Sequence, residues 1–254
     1  MSRAGVQHIV LLNGWSVPSA LWAPFFETDF EHCTIQIIDL SRECSAEEYC
    51  QLIDQSIKPS SLLIGWSLGG ALATYYVSQF ESEKLHKGWV KGMVVLQTSP
   101  CFVSCHDWSA GVLDNDFSAL RELVSEHDAA KLIRRFSHLL LAGSVYRKQD
   151  RQFLNARYSI ETLPSFESLA CGLELLNTLD LRAHISKIVM PVLWFFGGGD
   201  SLISKATIEN VRMILLKAGC HKQTLSVVEG MGHFPCGEHG LELKNALTGF
   251  MDTL

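Results

Sequence analysis

The sequence is poor in charge and has no long apolar run. Only 19% of its 254 residues are charged, below the roughly 25% of an average soluble domain, while 47% are hydrophobic. This composition supplies a sizeable core and is unlike that of a disordered segment. The lack of any run of about 18 apolar residues predicts no membrane-spanning helix. Lysine and arginine (21) are outnumbered by aspartate and glutamate (27), so no nucleic-acid-binding surface is expected.

A secretory signal is also missing. Residues 1–5 lead directly into the strand-like residues 6–12, without an apolar signal region and a cleavage site. A cytoplasmic location is therefore expected. The chain has eight cysteines, and in a cytoplasmic protein of this length we expect free thiols, many of them buried, rather than disulfides.

Short apolar runs recur along the chain and predict six buried strands. They lie at residues 8–12, 34–39, 61–64, 93–97, 192–196 and 224–228. Helical stretches lie between most of them, among them residues 45–57 and 71–80, and an amphipathic helix at residues 238–250 follows the last strand. The first of these helices begins with Ser45 and Glu48 in capping-box spacing. This alternation predicts an α/β fold with a mostly parallel central sheet flanked by helices.

The alternation is interrupted once, between residues 97 and 192. This interval has no convincing strand and predicts helices at residues 118–141, 146–160 and 165–177. We therefore expect a core formed by residues 1–104 and 185–254. Residues 105–184 are expected to form an inserted helical lid over the strand ends, where open α/β sheets place their sites.

The insert carries a marked charge asymmetry. Residues 131–157 hold seven of the 21 basic residues and a single acidic one, Asp150. Lys131 and Arg135 are four residues apart, as are Arg147 and Arg151, so each pair lies on one helix face. Two interpretations are open: a solvated helix face, or a surface for an anionic partner, to which a local basic patch on an acidic chain points more sharply.

The segment Gly65-Trp66-Ser67-Leu68-Gly69 matches the G-x-S-x-G pattern of a nucleophile elbow. A predicted strand precedes it and a predicted helix follows it, which is the setting that this motif requires. The sharp turn strains the backbone at Ser67 and lifts its hydroxyl above the sheet, and the glycines avoid collisions of Cβ atoms. The positive end of the helix favours a developing oxyanion. Ser67 is therefore predicted to be a nucleophile.

A nucleophilic serine needs a base, and the base needs an orienting carboxylate. In this type of fold the chain order is serine, acid, histidine. Asp200 follows the fifth predicted strand and His233 follows the sixth, both in glycine-containing loops, so we predict them as acid and base. Asp180 is the alternative acid, although Arg182 offers it an ion-pair partner. The other histidines considered, which lack such a loop, are His8, His221 and His239.

An oxyanion hole needs two N–H donors. Leu68, the residue after the nucleophile, supplies one, and the loop after the first strand supplies the other. That loop is Asn13-Gly14-Trp15-Ser16, and we assign its donor to Trp15. Plain aromatic packing is the alternative role of Trp15, and the two roles are compatible.

Metal and cofactor motifs are weak in this sequence. His233-x2-Cys236-x2-His239 and Cys101-x3-Cys105-His106 contain ligand types, but neither has a second half at zinc-site spacing. The glycine run at residues 197–199 lacks the Lys-Ser/Thr of a phosphate-binding loop. We expect neither a metal nor a cofactor.

The elbow, the order of the predicted triad and the helical insert resemble the α/β-hydrolase superfamily. Within it, segments spread over most of the chain resemble the pimeloyl-[acyl-carrier protein] methyl ester esterases of biotin synthesis. These segments are residues 11–15, 65–70, 98–102, 172–176, 180–182 and 190–191. The resemblance implies hydrolysis of the methyl ester of a carrier-bound pimeloyl chain, with release of methanol.

The resemblance also implies a partner. Acyl carrier protein is acidic, and this family binds it on basic lid helices. The matching positions here are Lys131, Arg135, Arg147 and Arg151, while Phe136 and Trp66 are implied to line the acyl channel. The family's His-Gly-Trp-Gly loop is Asn13-Gly14-Trp15-Ser16 in this chain, and the glycine-rich turn after Asp39 is missing. We expect a monomer.

Two other functions remain open at this point. A general short-chain carboxylesterase or acyl thioesterase of the same fold would leave the basic lid incidental. A binding protein that kept the fold but lost catalysis would be favoured by a missing triad member, and none is missing from the sequence.

Overall fold

The computed structural model describes residues 5–27, 29–235 and 237–254. The predicted absence of a leader rests partly on residues 1–4, and one discarded metal motif contains Cys236; these residues lie outside the described part. Six strands form one sheet in the order β2-β1-β3-β4-β5-β6, and every pair of neighbours is parallel. The predicted α/β class is confirmed.

All six predicted strands are present, with ends displaced by at most three residues. They are β1 (His8–Leu12), β2 (Thr34–Ile38), β3 (Ser61–Trp66), β4 (Val90–Leu96), β5 (Val192–Gly197) and β6 (Gln223–Val228). Every residue of β3 and β5 is buried, which requires cover on both faces of the sheet, whereas the edge strands β2 and β6 are largely half-buried.

Ten α-helices lie in the described part of the chain. They are α1 (Ala23–Phe26), α2 (Ala46–Ser56), α3 (Leu68–Gln79), α4 (Glu83–His86), α5 (Asp114–Ser125), α6 (Ala129–Leu141), α7 (Arg147–Asn155), α8 (Phe166–Thr178), α9 (Lys205–Lys217) and α10 (Gly240–Met251). The capping box of α2 is confirmed, because Ser45 Oγ accepts from Glu48 N and the Glu48 carboxylate accepts from Ser45 N. None of these helices combines the length and apolar character needed to cross a bilayer.

The prediction of one continuous helix over residues 118–141 is wrong. Two helices, α5 and α6, occupy this stretch, and the chain turns between them where His127 adopts a φ of 55°. Asp128 then begins α6 by accepting a hydrogen bond from Lys131 N, which satisfies one of the free N–H groups of the first turn. The predicted helix at 146–160 is also too long, since α7 ends at Asn155.

Helices α5 to α8 and their connections, residues 114–178, are called the cap here. They lie between β4 and β5 in the chain, as predicted, and pack on one another and on α3. The apolar face of α6, which includes Leu132, Phe136 and Leu140, is buried. The division of the chain at residues 104/105 and 184/185 stays a prediction.

The seven cysteines in the described segments are free thiols. Cys50 and Cys101 are buried, Cys105 is exposed and the others are half-buried, so fewer are fully buried than expected. Burial raises the pKa of Cys50 and of Cys101 to about 12, which keeps both thiols protonated near neutral pH. Both side chains therefore act as small apolar groups in the packing, and neither is a reactive thiolate.

Candidate active site

The turn between β3 and α3 places Ser67 in a strained conformation, with φ 56° and ψ −120°. Its neighbours leave no room for side chains. A Cβ atom on Gly65 would lie 2.4 Å from the carbonyl oxygen of Gly69, and one on Gly69 would lie 2.4 Å from the carbonyl oxygens of Leu12 and Asn13. Glycine at both positions lets β1, β3 and α3 meet at this point.

Asp200 and His233 form a buried hydrogen-bonded pair beyond the ends of β5 and β6. His233 Nδ1 lies 2.7 Å from Asp200 Oδ2, and both side chains are buried. The second carboxylate oxygen, Oδ1, accepts from the backbone N–H groups of Leu202 at 2.7 Å and Ile203 at 3.0 Å. The carboxylate is thereby fixed in place and holds the Nδ1 proton, so the neutral ring presents Nε2 as a base.

His233 Nε2 is buried and has no hydrogen-bond partner among the residues described. A buried, unpartnered acceptor is costly, and a base awaiting a proton is a physical reason to keep one. Ser67 is half-buried and lines the neighbouring cavity. The serine–histidine hydrogen bond is thus not formed in this structure, as is common in unliganded sites of this kind, where it forms or shortens with substrate.

The loop at residues 13–16, called the oxyanion loop here for its predicted role, is held by hydrogen bonds of Asn13. Its side-chain amide donates to the carbonyl of Val17 and to Asp39, and its Oδ1 accepts from Gly14 N and Trp22 Nε1, all within 3.0 Å. The predicted donors, the backbone N–H groups of Trp15 and Leu68, make no hydrogen bond within the described segments. Both amides are therefore available to an oxyanion, and the catalytic role assigned to them stays a prediction.

Ser67 opens into a cavity of about 240 Å³ beneath the cap. Its walls are mainly apolar and come from the oxyanion loop, the segment after β4, the cap and the loop after Asp200. The lining residues are Trp15, Ser67, Phe102, Val112, Asp116, Leu120, Arg135, Phe136, Leu139, Leu173, Leu176, Ser201 and Leu202. Phe136 is in this wall, where it packs edge-on against Trp15 with ring centroids 4.9 Å apart, and its role in lining an acyl channel stays a prediction.

The expectation that Trp66 lines the acyl channel is wrong. Its side chain is fully buried and is not among the cavity-lining residues within the described segments. The indole packs edge-on against Trp22, and its N–H donates to the carbonyl of His233 at 3.1 Å. Its place at the end of β3, immediately before Ser67, directs the side chain beneath the site, where it supports the loop of His233.

Sequence reasoning missed Gln97, which joins the acid and base loops. This buried glutamine follows β4 with a φ of 47°. Its side-chain oxygen accepts from Gly197 N at 2.7 Å, and its side-chain nitrogen donates to the carbonyl of Gly232 at 2.5 Å. One side chain thus fixes the spacing of the segments that carry Asp200 and His233. A glutamine at the end of an apolar strand is the signal that the sequence offers.

The end of α6 and the α6–α7 linker pack directly on the loops that carry Asp200 and His233. A Cβ atom on Gly143 would lie 1.7 Å from the carbonyl oxygen of Gly199, so the two backbones touch. Three hydrogen bonds join the same parts of the chain: Ser201 Oγ to the carbonyl of Leu139 (3.2 Å), Phe234 N to the carbonyl of Leu140 (3.1 Å) and Val145 N to the carbonyl of Gly230 (2.9 Å). The cap is therefore bonded to the segments that hold the acid and the base.

The four predicted carrier-binding residues lie on the adjacent helices α6 and α7, and three of them already have partners. Lys131 pairs with Asp128 at 2.8 Å, and Arg135 approaches Asp116 to 3.7 Å at the edge of the cavity. Arg147 donates to His138 Nδ1 at 2.8 Å, which links the two helices. Arg151 is exposed.

The alternative acid, Asp180, lies elsewhere. It pairs with Arg182, whose Nε is 2.8 Å from Asp180 Oδ1, and the guanidinium holds the pKa of this carboxyl below its ordinary value. His239, one of the other histidines, donates its Nε2 proton to the carbonyl of Gly230 at 3.1 Å. Within the described residues, no three His, Cys, Asp or Glu side chains are arranged to hold a metal ion.

Comparison with known proteins places this geometry in context. A family model described as the alpha/beta hydrolase fold matches residues 43–240. The pimeloyl-[acyl-carrier protein] methyl ester esterase of Xylella fastidiosa strain 9a5c is 30% identical over 97% of this chain and 95% of its own length. The protein of the same name from Klebsiella pneumoniae strain 342 is 28% identical over 79% of this chain and 78% of its own length.

Two solved structures share the fold at low sequence identity. A bromoperoxidase from Bacillus anthracis has a TM-score of 0.79 at 17% identity, covering 97% of this chain and 92% of its own. An esterase from Exiguobacterium antarcticum has a TM-score of 0.77 at 18% identity, covering 98% and 93% of the two chains. At these identities the likeness concerns the fold alone.

We expect Gln97→Met to slow phosphonylation of Ser67 by a fluorophosphonate about 10- to 100-fold, because small displacements of catalytic groups have effects of that size. Intact-mass spectrometry measures the rate. Gln223→Met is the matched control: this second buried glutamine bonds Trp194 and the carbonyls of Ile185 and Ile188, so its loss lowers stability without slowing the labelling. Wild-type labelling by Gln97→Met would contradict the assigned role.

The two candidate acids are expected to behave oppositely. Asp200→Asn slows labelling of Ser67 about 10⁴-fold, the effect known for the equivalent change in a serine protease, whereas Asp180→Asn leaves it unchanged. Asp180→Asn instead lowers stability. Because Arg182 lowers the folded pKa of Asp180, its carboxylate stabilises the fold above the unfolded pKa near 4, and that contribution is lost as pH falls through the folded value.

Urea midpoints measured from pH 7 downwards test this assignment. The difference between wild type and Asp180→Asn is expected to shrink below about pH 4. Slow labelling in Asp180→Asn, or a stability difference that is constant with pH, would count against it.

Proposed function

The chain belongs to the α/β-hydrolase fold family and is a carboxylic ester hydrolase, and on this premise we propose that it hydrolyses the methyl ester of a pimeloyl chain carried on acyl carrier protein. The proposal takes the substrate from the names of the curated relatives, which match 79% to 97% of this chain. The observation that carries it is the position of Arg135, a predicted carrier-binding residue that lines the cavity into which Ser67 opens.

The first half of the reaction forms an acyl-enzyme. Ser67 Oγ attacks the ester carbonyl while its proton passes to His233 Nε2, and Asp200 stabilises the imidazolium that results. The N–H groups of Trp15 and Leu68 donate to the oxyanion of the tetrahedral intermediate. When the intermediate collapses, His233 gives its proton to the leaving methoxy group, and methanol departs.

The second half releases the acid. A water molecule gives a proton to His233 Nε2 and attacks the acyl-enzyme, and the same N–H groups stabilise the second oxyanion. Ser67 leaves with the proton from His233. The products are the regenerated serine and a free carboxylate at the end of the carrier-bound chain. No step requires a cofactor.

The cavity suits a slender acyl chain. Its volume of about 240 Å³ is below the roughly 300–1,000 Å³ of sites for drug-sized ligands, and its walls are mainly apolar. The ester is at the end of the chain remote from the carrier, so the chain has to run inwards past Arg135 and Phe136 to reach Ser67. The carrier then remains outside, next to α6 and α7.

The basic residues of α6 and α7 provide the surface for an acidic carrier. Lys131 and Arg151 are exposed, and Arg135 is 43% exposed at its side chain. The ion pairs with Asp128 and Asp116 are at the surface, where such pairs contribute little to stability, so exchanging them for carrier carboxylates costs little. Long-range attraction by this surface raises the rate of encounter and weakens with salt.

A general short-chain carboxylesterase or acyl thioesterase is the second candidate. Two observations favour it: the cavity is small, and both Lys131 and Arg135 already have acidic partners within the chain. On this alternative the triad acts as described, but the charge of the cap has no influence on turnover.

We expect the double variant Lys131→Glu/Arg151→Glu to raise KM for the carrier-bound ester about 10- to 100-fold at low salt, because attraction of the acidic carrier is replaced by repulsion. Turnover of p-nitrophenyl butyrate should not change, since neither residue is among those that line the cavity. Lys187→Glu/Lys217→Glu, at exposed lysines outside the cap, makes the same change in net charge and is the matched control.

Wild type and Ser67→Ala, assayed with both esters at low and high salt, complete the test. Ser67→Ala is expected to lose hydrolysis of both esters, and the preference of wild type for the carrier-bound ester should fall as salt rises. Equal loss of the carrier-bound activity in both charge-reversal variants would remove the docking role of the cap. Hydrolysis of the small ester alone, with no salt effect, would favour the second candidate.

A further inference from the structure

The loop that carries the Trp15 donor contains a strained residue. Ser16, the next residue, is buried and has a φ of 69°, in the left-handed region that side chains other than glycine seldom adopt. Strain of this kind persists only where neighbouring contacts hold it. Ser16 therefore needs contacts that hold this conformation.

The contact comes from the cap. Tyr158, between α7 and α8, is buried, and its hydroxyl oxygen lies 2.6 Å from Ser16 Oγ, so one hydroxyl donates to the other. Burial raises the pKa of Tyr158 above its ordinary value, and the phenol therefore stays protonated at neutral pH. This hydrogen bond connects residues 142 positions apart, in a buried environment where its loss leaves a polar group without a partner.

Helix α8 contacts the same loop from the cap. The indole N–H of Trp15 donates to the carbonyl of Leu169 at 2.9 Å. Gly172, one turn further along α8, lies so close that a Cβ atom there would be 2.5 Å from Trp15 Cδ1. The side chain of Trp15 and the backbone that follows it are thus both held by cap residues, while the backbone N–H of Trp15 has no partner among the described residues.

We propose that Tyr158 is a positioning residue: through Ser16 it holds the oxyanion loop so that the Trp15 N–H points at the developing oxyanion. This inference rests on the proposed function only in requiring that Ser67 forms an oxyanion intermediate, whatever the ester. It gives a reason for serine at position 16, since its hydroxyl is the loop's link to Tyr158. It also makes the cap part of the catalytic geometry, in addition to covering the substrate.

The kinetic signature follows from when the Trp15 N–H acts. A donor that strengthens its hydrogen bond as the oxyanion forms stabilises the transition state and not the bound ester, so loosening the donor lowers kcat and leaves KM nearly unchanged. Complete removal of such a donor costs roughly 100- to 1,000-fold, and a loosened one is expected to cost about tenfold.

The experiment compares Tyr158→Phe, Ser16→Gly and the double variant. Each removes one hydroxyl, and glycine keeps the positive φ of residue 16 without strain. We measure kcat and KM for p-nitrophenyl butyrate, and the affinity for an alkyl trifluoromethyl ketone, which forms an oxyanionic adduct with a reactive serine. Each single variant is expected to lower kcat and ketone affinity about tenfold. The double variant should be no worse than either single one, because the two changes break the same bond.

Tyr76→Phe is the matched control. Tyr76 lies in the last turn of α3, at the opposite end of this helix from Ser67, and its buried hydroxyl bonds Asp54 of α2 and Ser82. Loss of this hydroxyl is expected to lower stability without changing kcat or ketone affinity. Active-site titration with the fluorophosphonate corrects for unfolded protein, which lowers the number of sites but not the ketone affinity of those that remain.

Wild-type kcat and ketone affinity in Tyr158→Phe would overturn the inference, as would an additive double variant. These outcomes differ from a failure of the proposed function. If the carrier-bound ester is not a substrate but the small ester is, the comparison still decides the role of Tyr158; if Ser67→Ala retains full esterase activity, the serine mechanism itself fails and the inference with it.

Discussion

The strained turn at Ser67 is the constraint on which the site depends. The positive φ of the serine turns the chain sharply from β3 into α3, and this is possible only because Gly65 and Gly69 let three backbones approach closely. The end of β1 lies directly against Gly69. Ser67 and the loop of Trp15 are therefore set relative to each other by backbone packing, before any side chain contributes.

The positions of Asp200 and His233 depend on a second set of contacts. Gln97 spans the segments before Asp200 and before His233, and Trp66 donates to the carbonyl of His233 from beneath. Neither residue faces the cavity. In both cases a buried polar side chain forms hydrogen bonds to the backbone of a distant segment and so connects separate parts of the site. The cavity wall can then be mainly apolar.

Much of this could be predicted from the sequence, because the signals were local. Strand periodicity, the capping box at Ser45 and the elbow around Ser67 each depend on residues within a few positions of one another. The break between α5 and α6 was missed because it turns on the conformation of His127, which an apolar pattern does not report. The position of Trp66, the bridge made by Gln97 and the contact of Tyr158 with Ser16 depend on partners far away in the chain, which periodicity and spacing do not reveal.

The contacts between the α6–α7 linker and the catalytic loops restrict how a substrate gains access. If the cap swung away as one rigid body, it would break the backbone bonds at Leu140 and Val145 and separate Gly143 from Gly199. It would also pull on the loops of Asp200 and His233. Opening of this kind would therefore displace Asp200 and His233 from the positions described. A cap that keeps these contacts leaves the loops of Asp200 and His233 undisturbed. Because the cap packs on those loops, grafting a cap from a relative would alter reactivity along with selectivity.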